Sequence, residues 1–130
     1  LVGVRDVDET ERPALADSDV TVFTMTDIDH RGITDVVESA VEIATDHVEH
    51  FHVSLDLDWL DPSEAPGVGT PVRGGVSYRE AHAAMERVAN VGQSPTSMEL
   101  VEVNPILDEH NRTAELAVEL AASALGKRIL

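Results

Sequence analysis

The chain alternates between short apolar runs and stretches in which apolar residues recur at helical spacing. Apolar runs of about four to eight residues between turn residues are typical of buried strands, and steps of three and four residues are typical of amphipathic helices. The runs predict strands at residues 1–4, 20–23, 51–57 and 98–103. The helical spacing predicts helices at residues 33–44, 77–91 and 111–125.

This alternation of strands and helices predicts an α/β fold built from right-handed βαβ units, with a mainly parallel sheet and helices on its faces. Ser77 and Glu80 have the spacing of a capping box, and Gly126 follows the last helix as a stop signal. A chain of 130 residues has the length of one domain, spanning residues 1–130. Because it starts on a strand at Leu1, without methionine, we expect a piece of a longer protein.

The charge is strongly acidic, with 25 acidic against 9 basic residues and a net charge of −16. Nucleic acids and anionic membranes need a basic surface, so neither is an expected partner. Acidity of this size is typical of halophilic proteins, in which salt screens the self-repulsion, or it serves solubility alone. The chain has no cysteine, no apolar run that could span a membrane and no signal peptide. Its expected location is the cytoplasm.

Pairs of aspartates two residues apart are the first candidates for metal chemistry. The pairs are Asp6/Asp8, Asp17/Asp19, Asp27/Asp29 and Asp56/Asp58. Only Asp56/Asp58 lies between an apolar run and a loop rich in glycine and proline; the second and third pairs are interpreted as surface or turn residues. Side chains two residues apart on a strand point the same way, so Asp56 and Asp58 are expected to converge at a sheet edge. Paired carboxylates suit Mg, Mn or Ca.

Several longer motifs carry a family resemblance. They lie at residues 2–9, 54–71, 74–80 and 101–105. Together they resemble the carboxyl-terminal half of arginases, in the ureohydrolase family. The resemblance implies part of a three-layer α/β/α fold with a binuclear manganese site at the carboxyl edge of the sheet. It also implies an enzyme that hydrolyses the guanidinium group of L-arginine, giving L-ornithine and urea.

The resemblance implies roles for three acidic residues at that edge. Asp56 and Asp58 match two metal ligands, one of which bridges two Mn(II) ions. Two such ions activate a hydroxide near neutral pH, which attacks the guanidinium carbon. Glu102 matches the glutamate that holds the guanidinium, since a carboxylate fork fits two N–H groups. Its alternative is an exposed glutamate at a strand end.

Further residues match positions that recognise substrate in this family. Asp6 and Asp8 match an α-amino recognition pair, although Asp8 also suits the N-cap of a following helix. Thr70 matches a threonine near the reacting guanidinium, or is a turn residue beside Pro71. The expected partner is therefore a small guanidino substrate.

Other matches concern assembly and departures from the pattern. Arg79 and Glu80 match a subunit-interface pair, which implies a homo-oligomer, a trimer or a hexamer; the capping box explains Glu80 equally well. Trp59 stands where relatives have glycine, so its ring either crowds the metal mouth or packs beneath the loop. The histidines match no ligand position and are interpreted as surface or core residues: His30, His47, His50, His52, His82 and His110.

The motifs that supply the remaining ligands in the family, and its proton-shuttling histidine, are absent from the sequence. We expect them in a missing amino-terminal half of the same domain, which makes the 130 residues inactive by themselves. Two alternatives stay open. One is another ureohydrolase such as an agmatinase, against which the motif at residues 5–8 argues; the other is a non-catalytic α/β interaction module.

Overall fold

The computed structural model describes residues 1–90 and 95–128, and its strands and helices alternate along the chain. The four strands are β1 (Val2–Val4), β2 (Phe23–Thr24), β3 (His52–Asp56) and β4 (Ser97–Val101). The five helices are α1 (Glu11–Ala16), α2 (Met25–Arg31), α3 (Ile33–Ala44), α4 (Tyr78–Val88) and α5 (Arg112–Ala124). A 3₁₀ turn, Leu57–Trp59, follows β3 directly.

All strand pairing between these elements is parallel, as the sequence predicts. Among the described residues the strands form two separate pairs, β1 with β2 and β3 with β4. In the second pair the register runs from His52 opposite Ser97 to Asp56 opposite Val101. Both of these strands therefore end at the same edge, and the residues that follow them lie close together.

The predicted helices form with bounds close to those expected. In α3 the buried residues recur at helical spacing, and the helix packs against α4, which packs against α5 in turn. The capping box of α4 is present, with Ser77 accepting from the Glu80 backbone and Glu80 accepting from the Ser77 backbone. The predicted end of this helix at Val91 lies outside the described residues. No helix in the described part of the chain is long and apolar enough to cross a bilayer.

Two of the helices are not predicted by the sequence pattern, and three of the predicted strands differ from the observed strands at both ends. Helix α1 has six residues, none of them buried, so it leaves no apolar stripe to detect. Helix α2 begins with a capping box between Thr24 and Asp27, immediately after the short strand β2. The strand predicted at residues 20–23 is only Phe23–Thr24, and that at 98–103 is Ser97–Val101. The strand predicted at 51–57 stops at Asp56, because the chain turns there.

The core lies beneath the turn that follows β3. Leu57 and Leu60 are completely buried, together with Val76 and Leu120. Leu60 and Val76 also form a parallel bridge, which closes the loop between β3 and α4 onto its own start. Burial of such side chains contributes roughly 1.5–3 kcal/mol each, so this packing fixes the backbone on which the acidic residues stand.

Candidate metal and substrate site

Asp56 and Asp58 lie together at the carboxyl end of β3, but a turn brings them together rather than a strand. Asp56 is the last residue of β3, and Asp58 is the middle residue of the 3₁₀ turn. The Asp58 backbone N–H donates to Asp56 Oδ1 over 3.0 Å, which fixes the Asp56 side chain across the start of the turn. The expectation that both stand on one strand is therefore wrong, although the two carboxylates do come close.

Thr70 joins this pair from the loop that follows. Its hydroxyl donates to Asp58 Oδ2 over 2.9 Å. The loop around it is anchored at Gly67, whose carbonyl accepts from the Asn104 N–H over 2.7 Å. Thr70 is thus a partner of Asp58, a contact that its interpretation as a simple turn residue does not include.

Glu102 reaches the same place from the neighbouring strand. It follows Val101, the residue that lies opposite Asp56 in the register of β3 and β4. Its backbone is left-handed, with φ 65°, so the chain bends sharply as the strand ends. A Cβ added to Gly69 would lie 3.2 Å from Glu102 Oε2, which shows that the glutamate carboxylate approaches this glycine loop closely.

The charges at this edge repel one another. Burial raises the pKa of Asp56, and the nearby negative charges of Asp58 and Glu102 raise it further, although the hydrogen bond from the Asp58 N–H opposes the shift. A raised pKa means that the ionised carboxylates are poorly compensated by the protein. A divalent cation bound by Asp56 and Asp58 would relieve that repulsion, and oxygen donors are the ligands that Mg, Mn and Ca prefer.

The donor set is nevertheless incomplete in the described part of the chain. In residues 1–90 and 95–128, no group of three or more histidine, aspartate or glutamate side chains is arranged to hold a metal ion. Asp56 and Asp58 therefore fit part of a metal site, and further ligands must come from elsewhere for the site to close.

Asp6 and Asp8 face the same open cleft from the segment after β1. A cavity of about 810 Å³ is lined by both of them and by Asp56, Asp58 and Thr70. Asp8 contributes only its backbone carbonyl to α1, accepting from the N–H groups of Glu11 and Arg12. The N-cap of α1 is Thr10, with no side-chain capping bond. The alternative in which the Asp8 side chain caps this helix is therefore wrong for this conformation.

Arg5, which the sequence analysis left without a role, contacts the turn that carries Asp58. Its guanidinium donates to the backbone carbonyls of Asp58, Trp59 and Val72 over 2.5 Å, 3.3 Å and 2.7 Å. Carbonyl groups occur in every residue, so no sequence pattern marks them as partners of an arginine. The only signal was the position of Arg5 beside Asp6 in a motif of the resemblance.

Comparison with known proteins identifies the family. A profile described as "Arginase family" matches residues 1–126. The chain belongs to the arginase family. It is 52% identical over 130 residues to the arginase of Bacillus subtilis and 48% identical to that of Bacillus caldovelox, and in both cases the match covers 100% of this chain and 43% of the relative. The crystal structure of the Bacillus subtilis arginase superposes with a TM-score of 0.92 at 51% identity, over 99% of this chain and 44% of that one.

These similarities confirm the resemblance and the α/β arginase-like fold. The chain spans less than half the length of the arginases it matches. Trp59, the departure from the family pattern, packs against β1: a Cβ added to Gly3 would lie 2.1 Å from its indole nitrogen. Trp59 also lines the cleft with Asp56 and Asp58, so the two positions expected for its ring stay open.

The remaining matched residues lie away from the cleft. Arg79 is exposed at the start of α4, and Glu80 is engaged in the capping box. Most histidines are exposed, as expected; His82 is buried between α4 and α5, where its Nδ1 lies 2.9 Å from Ser123 Oγ. The subunit-interface role of Arg79 and Glu80 stays a prediction.

Proposed function

We propose that this chain is the carboxyl-terminal part of a single-domain arginase, and that the parent protein hydrolyses L-arginine to L-ornithine and urea. The parent protein is the full product of the gene that encodes these 130 residues. The observation that carries the proposal is the convergence of Asp56, Asp58, Thr70 and Glu102 at one strand edge in a chain of the arginase family.

The metal-binding role falls to Asp56 and Asp58. Their carboxylates suit Mn(II) and would hold part of a two-metal site, which when loaded would supply an activated water as the nucleophile near neutral pH. Thr70 keeps Asp58 in one orientation through its hydroxyl. The other ligands belong, in this proposal, to the part of the parent protein outside this chain, so the 130 residues alone are expected to release no urea.

Substrate recognition falls to the acidic residues around the metal pair. Glu102 is placed to accept hydrogen bonds from the guanidinium group, because a carboxylate fork matches two parallel N–H groups. Asp8, with Asp6 beside it, is proposed to bind the α-ammonium group across the cleft that both line with Asp58. In this proposal, Glu102 binds the guanidinium end of one arginine molecule and Asp8 binds its α-ammonium end.

Two alternatives differ in what the parent protein does with this site. An agmatinase acts on a substrate that lacks the α-carboxylate, and the Arg5 to Asp8 motif favours arginine over it. A non-catalytic module keeps the motifs and has lost the ligands outside this chain. The sequence of the parent protein distinguishes the non-catalytic module from an enzyme, because intact histidine and aspartate ligand motifs outside this chain indicate an enzyme.

The acidity of the chain supports a setting of high salt. With a net charge of −16, the folded state is destabilised by self-repulsion that counterions screen. We propose that the parent protein works at high ionic strength in the cytoplasm, as a homo-oligomer in which Arg79 and Glu80 lie near the subunit contact. Size-exclusion chromatography at low and high salt tests the assembly.

The proposed activity is tested by urea release from L-arginine and from agmatine, with the purified parent protein and Mn(II) at high salt. Arginine is expected to be the better substrate. Glu102→Gln should lower kcat/KM for arginine by about tenfold to a hundredfold, since a charge-assisted bond is worth about 1.5–3 kcal/mol. Its Mn(II) affinity by calorimetry should stay near the unmodified value.

The matched control is Glu109→Gln, an exposed glutamate in the loop before α5, for which normal kinetics are expected. Near-normal arginine turnover by Glu102→Gln would remove the guanidinium role. Preference for agmatine would favour the agmatinase alternative, and no turnover of either compound would favour the non-catalytic module.

A further inference from the structure

Arg5 is a half-buried cation, and within residues 1–90 and 95–128 its hydrogen bonds all go to backbone carbonyls of two other segments. Its Nε and Nη2 both donate to the Val72 carbonyl, over 3.1 Å and 2.7 Å. Nη2 also donates to the Asp58 carbonyl over 2.5 Å, and Nη1 to the Trp59 carbonyl over 3.3 Å. One guanidinium therefore joins the segment after β1, the 3₁₀ turn and the loop that follows Thr70.

Two of the carbonyls that Arg5 binds belong to the 3₁₀ turn. Asp58 and Trp59 lie in its last part, where carbonyl groups lack partners within the turn and carry partial negative charge. The Trp59 carbonyl also accepts from the Val76 N–H over 3.2 Å. Arginine suits this position because its planar fork donates in several fixed directions at once. A lysine keeps the charge but not the fork.

The carbonyls that Arg5 binds lie near both partners of a side-chain hydrogen bond made by Asp58. Thr70 donates to Asp58 Oδ2, and Thr70 lies two residues before Val72. Arg5 thus holds the main chain beside both members of the Thr70–Asp58 bond. A shift of either segment would lengthen that bond and turn the Asp58 carboxylate.

The same arginine is adjacent in sequence to the proposed α-amino recognition pair. Asp6 follows it directly and Asp8 is three residues on, and both line the cleft with Asp58. The bond from Arg5 to the Asp58 carbonyl therefore ties the segment that carries Asp8 to the turn that carries Asp58.

We infer that Arg5 is a positioning residue for the arginase reaction: its guanidinium, through backbone carbonyls alone, sets the orientation of the metal ligand Asp58 and the placement of Asp8. The inference rests on the proposed function for its substrate part, whereas its metal part concerns binding alone. Arg5 acts through Asp58, Thr70 and Asp8.

The test measures Mn(II) binding by calorimetry, without substrate, on the parent protein and its variants Arg5→Gln and Arg5→Lys. Residues that support metal ligands typically change metal affinity by about 10- to 100-fold when replaced. Arg5→Gln is expected to show a loss of that size, and Arg5→Lys a smaller one. Arg112→Gln is the matched control, because Arg112 also donates to a carbonyl of the same loop, that of Ser63, away from the carboxylates. A change below about twofold is expected for it.

A second readout separates positioning from stability. Arg5→Lys should raise KM for L-arginine by more than for desamino-arginine, which lacks the α-amino group, because Asp8 is displaced. Unchanged Mn(II) affinity and an unchanged ratio of the two KM values, with only a lower melting temperature, would overturn the inference. Failure of both Arg5 variants to fold would overturn it too, since Arg5 would then act on the fold. If the unmodified parent releases no urea, the proposed function fails, and the Mn(II) comparison still decides the role of Arg5 toward Asp58.

Discussion

The indole nitrogen of Trp59 lies against the backbone of Gly3, so closely that a Cβ on Gly3 would come within 2.1 Å of it. Gly3 has φ +80°, a conformation that costs other residues about 1–2 kcal/mol. The pair joins β1 to the 3₁₀ turn that carries Asp58. A tryptophan at this position is therefore accommodated only because the facing residue is glycine.

This contact predicts a specific coupling. Gly3→Ala in the parent protein should lower the melting temperature by more than Gly32→Ala, since Gly32 has φ +83° but no neighbour within 4 Å of its added Cβ. In a Trp59→Gly background, Gly3→Ala should lower the melting temperature by no more than Gly32→Ala does, because the clash with the indole is gone and only the backbone strain remains. Calorimetric melting of these variants measures the coupling, expected at about 0.5–3 kcal/mol. Simple additivity would contradict the contact.

Thr70 provides a second prediction, on metal affinity. Thr70→Val removes the bond to Asp58 Oδ2 and should weaken Mn(II) binding to the parent protein by about 10- to 100-fold. Thr70→Ser keeps a hydroxyl and should stay close to the unmodified value. The control is Thr34→Val, on the exposed face of α3. Equal binding by the valine and serine variants at position 70 would show that the hydroxyl does not orient Asp58.

Asp8 determines substrate selectivity if the α-amino role is correct. Asp8→Ala should reduce kcat/KM for L-arginine by about 10- to 100-fold, which corresponds to the ~1.5–3 kcal/mol of a charge-assisted hydrogen bond. Desamino-arginine should lose much less, since it never makes that contact. Steady-state kinetics on both substrates, with Asp19→Ala as an exposed control, make the comparison. An equal loss on both substrates would remove the best support for arginase over agmatinase.

Asp61 makes the stability of the parent protein depend on acid pH. Hydrogen bonds from the Ser63 hydroxyl and N–H and from the Gly74 N–H lower the pKa of Asp61 from 3.8 to about 2. A carboxyl group whose pKa is lowered by folding stabilises the folded state at pH values above its ordinary pKa. That contribution is lost as the pH falls from about 4 toward 2. Asp61→Asn should therefore have a lower melting temperature than the unmodified protein at pH 7, and this difference in melting temperature should become smaller near pH 2. For the control Asp17→Asn, the difference in melting temperature from the unmodified protein should be the same at both pH values. A pH-independent difference for Asp61→Asn would contradict the predicted dependence on pH.

The sequence located the site edge well because the local pattern there is strong. An apolar run ends at Asp56, and a glycine and proline loop follows, so a strand end with carboxylates was readable. The sequence does not predict the 3₁₀ turn at Asp58, because two aspartates at this spacing are compatible with a strand as well as with a turn. Thr24 and Asp27 have capping-box spacing, which is a sequence signal for the start of α2; the prediction of Asp27 as a surface or turn residue does not use it.

Other features had no local signal at all. Arg5 binds carbonyls 53 and 67 residues away in sequence, and such partners depend on the whole fold. Helix α1 buries none of its residues, so no apolar spacing marks it. The close approach of Glu102 to Gly69 likewise depends on the register of two strands. Of these three features, the family resemblance implied only the site role of Glu102; it gave Arg5 no role and did not predict α1.

The proposed role of Asp56 and Asp58 as metal ligands is tested most directly by a crystal structure of the parent protein grown with Mn(II) and measured at the manganese absorption edge. We expect two anomalous peaks about 3.5–4 Å apart, with carboxylate oxygens of Asp56 and Asp58 in direct contact and one carboxylate between the ions. Peaks elsewhere, in crystals of a protein that releases urea from arginine, would contradict the account.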